Sequence, residues 1–400
     1  MARKITPYAF VLGFIECSLK RCCSYSQWAA AIGRLAGCSV SKQSLFERVN
    51  DGASAFAQKL LQHALKKQVK TRDVPLFENF KRVLLQDSTT LALPDKLAEY
   101  FPGNISRGVQ KAVARIQCIL EITTMRFMHF SLSGFTCNDQ SASSLITIHL
   151  KKNDLVIRDM GYFVLNCLDE ISSKQAYFLS RLRSDVNIYD QKGQCLTLGK
   201  LLHKNQVDQW VWIGKNKRLP VRLVMLRLPT AQAAERKRKA RKDRDKRLNR
   251  SKAYYRWLEY AAFVTNVDEQ IWSTQQVAEA YKTRWQIEII FKCWKSSFNL
   301  QKIVQDYQHN IHRVRTAILL MLLFICLFMQ KVYIHYRNAL EKKTNKVVSI
   351  FKLSQYLAAN LQHFFSMNRQ NLLDQITRHC CYENRPSRTN MTELIKIFKN

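Results

Sequence analysis

Tyr281, Arg284, Glu288 and Lys295 bring a phenol, two cations and a carboxylate together at the spacing Tyr-x2-Arg-x3-Glu-x6-Lys. On one helix of about 3.6 residues per turn they fall within roughly a 60° arc. Ile287, Ile290, Phe291, Trp294 and Phe298 fall on the adjoining flank, which a core would bury. A carboxylate at the edge of a core can be desolvated and aimed, which suits metal binding or acid/base chemistry. The plainer alternative is that Arg284 and Glu288 form an i, i+4 surface pair worth roughly 0.2 to 0.5 kcal/mol on a solvated helix.

The gapless spacing resembles the YREK signature of bacterial DDE transposases of the insertion sequence four family, and RWQIE and FKCWK around it are similar to that family as well. DST at Asp87 and RDMGY at Asp159 resemble the family's two aspartate motifs, and Glu288 supplies the third acid in the expected order. Taken singly, Asp87 could bond the local backbone and Asp159 could initiate a turn. The resemblance implies that Asp87, Asp159 and Glu288 are catalytic and hold two Mg2+ ions, with Mn2+ as a substitute. Asp87 bridges both ions, Asp159 holds one and Glu288 the other. Tyr281, Arg284 and Lys295 then clamp the phosphates that flank the scissile bond.

The implied function is a transposase that binds the terminal inverted repeats of its own element, cuts them and joins them to target DNA. Its partners are double-stranded DNA, at the repeats and the target, and a second copy of itself in the DNA complex. It would work in the bacterial cytoplasm at the nucleoid, with no membrane partner. A non-catalytic DNA-binding protein derived from such an enzyme is the competing reading.

Those acids need elements to position them. Residues up to about 75 have helical periodicity, and QWAAAIGRLAGCSVSKQSLFERVN reads as helix, turn, helix, broken at Gly37 and restarted by Ser41 as N-cap. Lys42, Gln43 and Arg48 on the second helix are the candidate DNA readers, and a plain helical hairpin is the alternative. VLLQDSTTLAL, AVARIQCILEIT and FMHFSLSGFT read as three strands, Asn138 to Lys152 as a helix, LVIRDMGYF as a buried strand, and Cys167 to Leu182 as helix and strand. That order is the layout of an α/β, RNase H-like core. Asp87 stands on its first strand and Asp159 at the end of its fourth.

Between Ser184 and Thr265, VNIYDQKG, QWVWIG and LPVRLVMLRLP read as strands, followed by the charge run ERKRKARKDRDKRLNR. A charge run is usually a solvated segment, but this one is basic enough to lie along phosphates. The segment fits the β-rich insertion that the family places before its glutamate helix, and FVTNV reads as the strand that returns from it. In some relatives an aromatic of this insertion holds a flipped base, and Trp257 or Tyr260 lies near the corresponding place. The expected divisions are 1–78 helical and DNA-binding, 79–183 and 266–310 the two parts of the core, 184–265 the insertion, and 311–400 helical. Within the last, Val348 to Phe365 reads as a helix and RHCCYENRPSRTN as a polar tail.

A net charge of +34, with 64 Lys and Arg against 30 Asp and Glu, implies a polyanionic partner, with nucleic acid ahead of an anionic membrane. Ala317 to Met329 is unbroken apolar sequence but shorter than the roughly 20 residues of a spanning helix, so a buried core helix is expected. The N-terminus shows no clear signal peptide. The 12 cysteines include no Cys-x-x-Cys and read as reduced thiols, and His309 and His312 read as surface histidines.

Overall fold

The chain's punctuation is local and polar. Thr6 caps α1 (Pro7–Leu19) by accepting from the Ala9 N–H. Ser24 and Gln27 form a capping box at the start of α2 (Tyr25–Ala36), which Gly37 ends at φ 64°, a left-handed conformation that glycine adopts without strain. Ser41 accepts from the Ser44 N–H to start α3 (Lys42–Arg48), and Asn50 caps α4 (Asp51–Lys66). The expected helix, turn and helix are therefore present. Ser41→Ala should lower stability by about 1 kcal/mol in a thermal melt, because the first turn of α3 loses its side-chain acceptor.

The computed structural model describes residues 5–20, 23–68, 77–216, 218–243, 250–305, 310–344 and 346–383. After α4 come β1 (Arg82–Leu93), β2 (Pro102–Ser106), β3 (Val109–Glu121), β4 (Arg126–Gly134), β5 (Asp154–Arg158), α5 (Leu165–Ser173), β6 (Tyr177–Arg181) and β7 (Ile188–Tyr189). Then follow α6 (Leu198–Leu201), β8 (Gln206–Ile213), β9 (Leu219–Arg227), α7 (Thr230–Arg241), α8 (Lys252–Trp257), β10 (Tyr260–Thr265) and α9 (Thr274–Lys282). The rest is helical: α10 (Trp285–Ser296), α11 (Leu300–Gln305), α12 (Ile311–Leu327), α13 (Ile334–Thr344), α14 (Ile350–Ala359), α15 (Leu361–Ser366) and α16 (Arg369–His379).

The chain divides into two units. One takes residues 1–73, 88–138 and 285–390. Its centre is α12, which is buried along most of its length because its apolar side chains point in every direction, and which lies against α1 and α4. The helical run Ile311–Thr344 is long and apolar enough to cross a membrane, yet 83% of its most apolar window is buried inside the structure, which fits the expected core helix. In the same unit β3 lies between β1 and β2 and also pairs with β4. The Gln68 amide donates to the Phe127 carbonyl at 2.6 Å and accepts from its N–H at 2.9 Å. Trp294 of α10 packs against Phe127 and Phe130, ring centroids 6.0 and 5.8 Å away. The N-terminal helices thus share a unit with the C-terminal ones, because they cover α12.

The other unit takes residues 74–87 and 139–284. Its strands run in the order β1-β5-β6-β10-β9-β8-β7. β1, β5 and β6 are parallel, and β10 is antiparallel to both β6 and β9. The strands expected as a separate insertion therefore continue this sheet. At its far side the Arg222 guanidinium, fully buried, donates to both Asp208 carboxylate oxygens at 2.7 and 2.6 Å.

Three local expectations change. Residues 138–152 form only a 3-10 helix at Ser143–His149, where Ile146, Thr147 and Ile148 are an unfavourable β-branched run for an α-helix. Val348 to Phe365 is broken at Asn360, whose side chain donates to the Tyr356 carbonyl. The charge run is helical in α7 as far as Arg241, while residues 244–249, His309, Cys22 and the tail from residue 384 lie outside the described residues. His312 is half-buried, its Nδ1 3.3 Å from Asp51, rather than an isolated surface histidine. The described cysteines are free thiols.

Candidate active site

Arg82 and Asp154 are register partners on β1 and β5, and the Arg82 Nε–H donates to the Asp154 carboxylate at 2.9 Å, which fastens one end of this parallel pair. At the other end Gln86 faces Arg158. Asp87 and Asp159 come next, and Asp159 keeps an extended backbone (φ −80°, ψ 168°). Neighbouring strands lie about 4.8 Å apart, so the two aspartates stand side by side. Side chains alternate along a strand, which puts Gln86 and Arg158 on the opposite face. There the buried Arg158 donates to the Ser143 hydroxyl at 2.9 Å and to the Gln86 side-chain amide oxygen at 3.3 Å, locking the register from beneath.

Both aspartates are half-buried and engaged. The Tyr281 hydroxyl donates to Asp159 at 3.0 Å, and an Arg284 N–H donates to Asp87 at 3.3 Å. The Tyr281 ring is buried against Phe263, 5.1 Å between centroids. Burial first, and then the Asp159 charge, push its phenol well above the ordinary tyrosine value, so it remains a donor at neutral pH.

The expected single helix is broken. Tyr281 lies in the last turn of α9, which ends at Lys282, and the Thr283 and Arg284 N–H groups bond to carbonyls three residues back, at Ala280 and Tyr281. The Thr283 hydroxyl also donates to Ala280 at 2.7 Å. This β-branched, self-bonding residue favours a tight turn over a continuing helix. Arg284 lies in the turn and reaches Asp87, while Glu288 and Lys295 belong to α10, in the unit that takes residues 285–390. Glu288 is half-buried in the first turn of α10, where a helix N-terminus favours a carboxylate. Lys295 is exposed. The expected apolar flank of Ile287, Ile290, Phe291, Trp294 and Phe298 is buried throughout.

Among the described residues no group of three or more His, Cys, Asp and Glu side chains is arranged as a metal cluster. The adjacent carboxylates of Asp87 and Asp159 nonetheless suit a hard divalent cation, which prefers carboxylate oxygen and water. Lys42, Gln43 and Arg48 are exposed on α3, with the Gln43 amide donating to Glu47 at 2.8 Å. Trp257 and Tyr260 are buried, and the Tyr260 hydroxyl donates to the Leu202 carbonyl, so neither ring presents a free face to a base in this conformation.

Two cations that motif reading passed over stand on neighbouring elements. Ser180 is in register with Arg158, which sets Arg181 level with Asp159. Arg236 of α7 is held near Tyr260 by a 2.8 Å bond to its carbonyl. The only sequence signal was that Arg181 ends the strand next to the one carrying Asp159.

A family model described as the transposase DDE domain matches residues 78–327, more than half of the chain. The transposase for insertion sequence element IS231E of Bacillus thuringiensis subsp. finitimus is 28% identical over 390 residues, covering 90% of this chain and 78% of that protein. That for IS231F of Bacillus thuringiensis subsp. israelensis is 27% identical over 376 residues, covering 86% and 76%. A solved structure, the cryo-EM piggyBac transposase synaptic complex with hairpin DNA, is 10% identical with a TM-score of 0.39, covering 96% of this chain and 87% of that one, a likeness too slight to bear weight.

Proposed function

The chain belongs to the transposase DDE-domain family, and from that premise we propose that it binds the terminal inverted repeats of an insertion sequence, cuts them and transfers the freed ends to target DNA. It is a transposase, a DNA-cleaving polynucleotidyl transferase acting in DNA transposition. The observation that carries the finer reading is the pair Asp87 and Asp159, level on neighbouring parallel strands and already engaged by Arg284 and Tyr281.

In this reading Asp87, Asp159 and Glu288 act together as the acids of the site and hold two Mg2+ ions. Such ions supply activation of the attacking oxygen and charge stabilisation at the leaving oxygen. Asp87 and Asp159 are aimed by the strand register. Tyr281 and Arg284 hold the carboxylates in place and turn to the flanking phosphates when DNA arrives, and Lys295 adds a further cation. The parallel trio β1, β5 and β6 in one unit and the antiparallel pair β3 and β4 in the other support an RNase H-like core. Lys42, Gln43 and Arg48 on the exposed α3 read the repeat, and a homodimer holds both ends. The enzyme works in the bacterial cytoplasm at the nucleoid, where its substrate is.

The test is incubation of the full chain with the DNA that borders its gene, in Mg2+ or Mn2+ and in chelator. Strand breaks at the repeat boundary only with metal are expected, while binding without cutting in either metal favours the non-catalytic reading. Sedimentation of the complex reads the copy number. The charge of +34 makes a second expectation. Log affinity should fall linearly with log salt, with a slope of about 0.9 per neutralised phosphate, and a flat salt titration would contradict phosphate-dominated binding.

A further inference from the structure

We propose that Arg181 and Arg236 form a phosphate-gripping pair beside the two aspartates, taking one phosphodiester of the DNA strand close to the one that is cut. This rests on the reading of the chain as a DNA-cutting enzyme. It assigns to α7, which stands outside the signature motifs, a direct part in holding the substrate.

Arg181 comes to the site through the sheet. Gln86, Arg158 and Ser180 are in register across β1, β5 and β6, so Asp87, Asp159 and Arg181 follow at one level on one face. Arg236 comes from α7, oriented by its N–H donation to the Tyr260 carbonyl, and its remaining N–H groups are left for another acceptor. Among the described residues neither guanidinium has a carboxylate within ion-pair distance. The neighbours of Arg236 on the same helix differ. Lys237 pairs with Glu259 at 2.5 Å, and Arg238 and Lys239 pair with Glu235 at 2.7 and 3.6 Å.

Arg181 is in register with Phe263 on β10, three residues from the Tyr260 carbonyl that Arg236 bonds, so both cations stand at the same end of that strand pair. Burial, and then the charge of Arg181, hold Arg236 below the ordinary arginine value, at about 10, and both cations bear on the Tyr281 phenol that bonds Asp159. Two half-buried like charges, neither ion-paired to an acid among the described residues, raise the energy of the empty site and lower it once an anion enters. A phosphate matches them in charge and in the two-point geometry that a guanidinium fork offers.

The probe is a duplex carrying the DNA end that borders the gene, bound by the full chain in chelator so that no strand is cut. Arg181→Gln and Arg236→Gln should each weaken binding about tenfold and lower the salt slope by about one. The double variant should lower that slope no further, because both side chains hold the same phosphate. Replacing the phosphates near the cut one at a time by uncharged methylphosphonate should identify one position at which wild type loses the same tenfold and the variants lose nothing more. If wild type and variants respond alike at every position, the pair does not exist. Thermal melts check folding, and Arg181→Lys and Arg236→Lys, which keep the charge but lose the fork, serve where a glutamine variant does not fold. Failure of wild type to cut this DNA in Mg2+ or Mn2+ sinks the enzyme reading. Cutting by wild type with a null methylphosphonate scan sinks only the pair.

Discussion

Asp87→Asn should leave binding of the DNA end near wild type while lowering metal-dependent cleavage about a thousandfold or more. The substitution keeps the side chain's size and an oxygen that can accept from Arg284 at the 3.3 Å contact, so the fold and the strand register have no reason to change. What it removes is the negative charge adjoining Asp159, and with it a share of the cation affinity of the site. Metal assistance supplies several kcal/mol to such a displacement. At about 1.4 kcal/mol per factor of ten, losing about 4 kcal/mol gives the thousandfold drop. Gel shifts in chelator and nicking assays in Mg2+ separate the two quantities. Retention of cleavage by Asp87→Asn would remove this carboxylate from the chemistry.

Asp208→Asn should cost stability instead, by about 1.5–3 kcal/mol, since the buried Arg222 loses its charged partner while Asp208 itself is partly exposed. Arg222 is fully buried, and among the described residues its acceptors besides Asp208 are the Val267 and Trp272 carbonyls, at 3.3 and 2.7 Å. Burial, the largest influence on Asp208, raises its carboxyl, but bonds from Arg222 and Thr274 outweigh it and the group ends below its ordinary 3.8. A depressed folded-state value gives stability that is present above the ordinary value and lost as pH falls through the depressed one. Thermal melts should therefore show wild type losing stability below about pH 4 more steeply than Asp208→Asn. Parallel acid limbs for the two proteins would count against the pair as a contributor.

What could be read beforehand followed short-range rules. Ser41 announced a helix because a serine oxygen satisfies first-turn N–H groups. Ala317 to Met329 announced a core because no polar side chain interrupts it. Asp87 was visible as an acid on the first strand and Asp159 as one at a strand end, and the buried face of Ile287, Ile290 and Trp294 was visible from its spacing. The break at Thr283 and Arg284 was not, since a four-residue motif at helical spacing reads the same whether its helix is whole or interrupted. Nor was Arg181, whose place depends on how β6 registers against β5, a long-range choice that no local pattern records. The burial of Trp257 and Tyr260 was hidden for a related reason: an aromatic in a basic segment looks available until the strands that cover it are known.

The burial of α12 against α1 and α4 has a consequence for biosynthesis. Residues 67–310 separate α4 from α12, and at about 5–20 residues per second the ribosome needs on the order of tens of seconds to make them. Throughout that interval the first helices are outside the exit tunnel without their main packing partner, and the oily segment then emerges alone. The nascent polypeptide is therefore a natural client for holdase chaperones, and expression of the protein should depend on their supply more than its finished surface suggests.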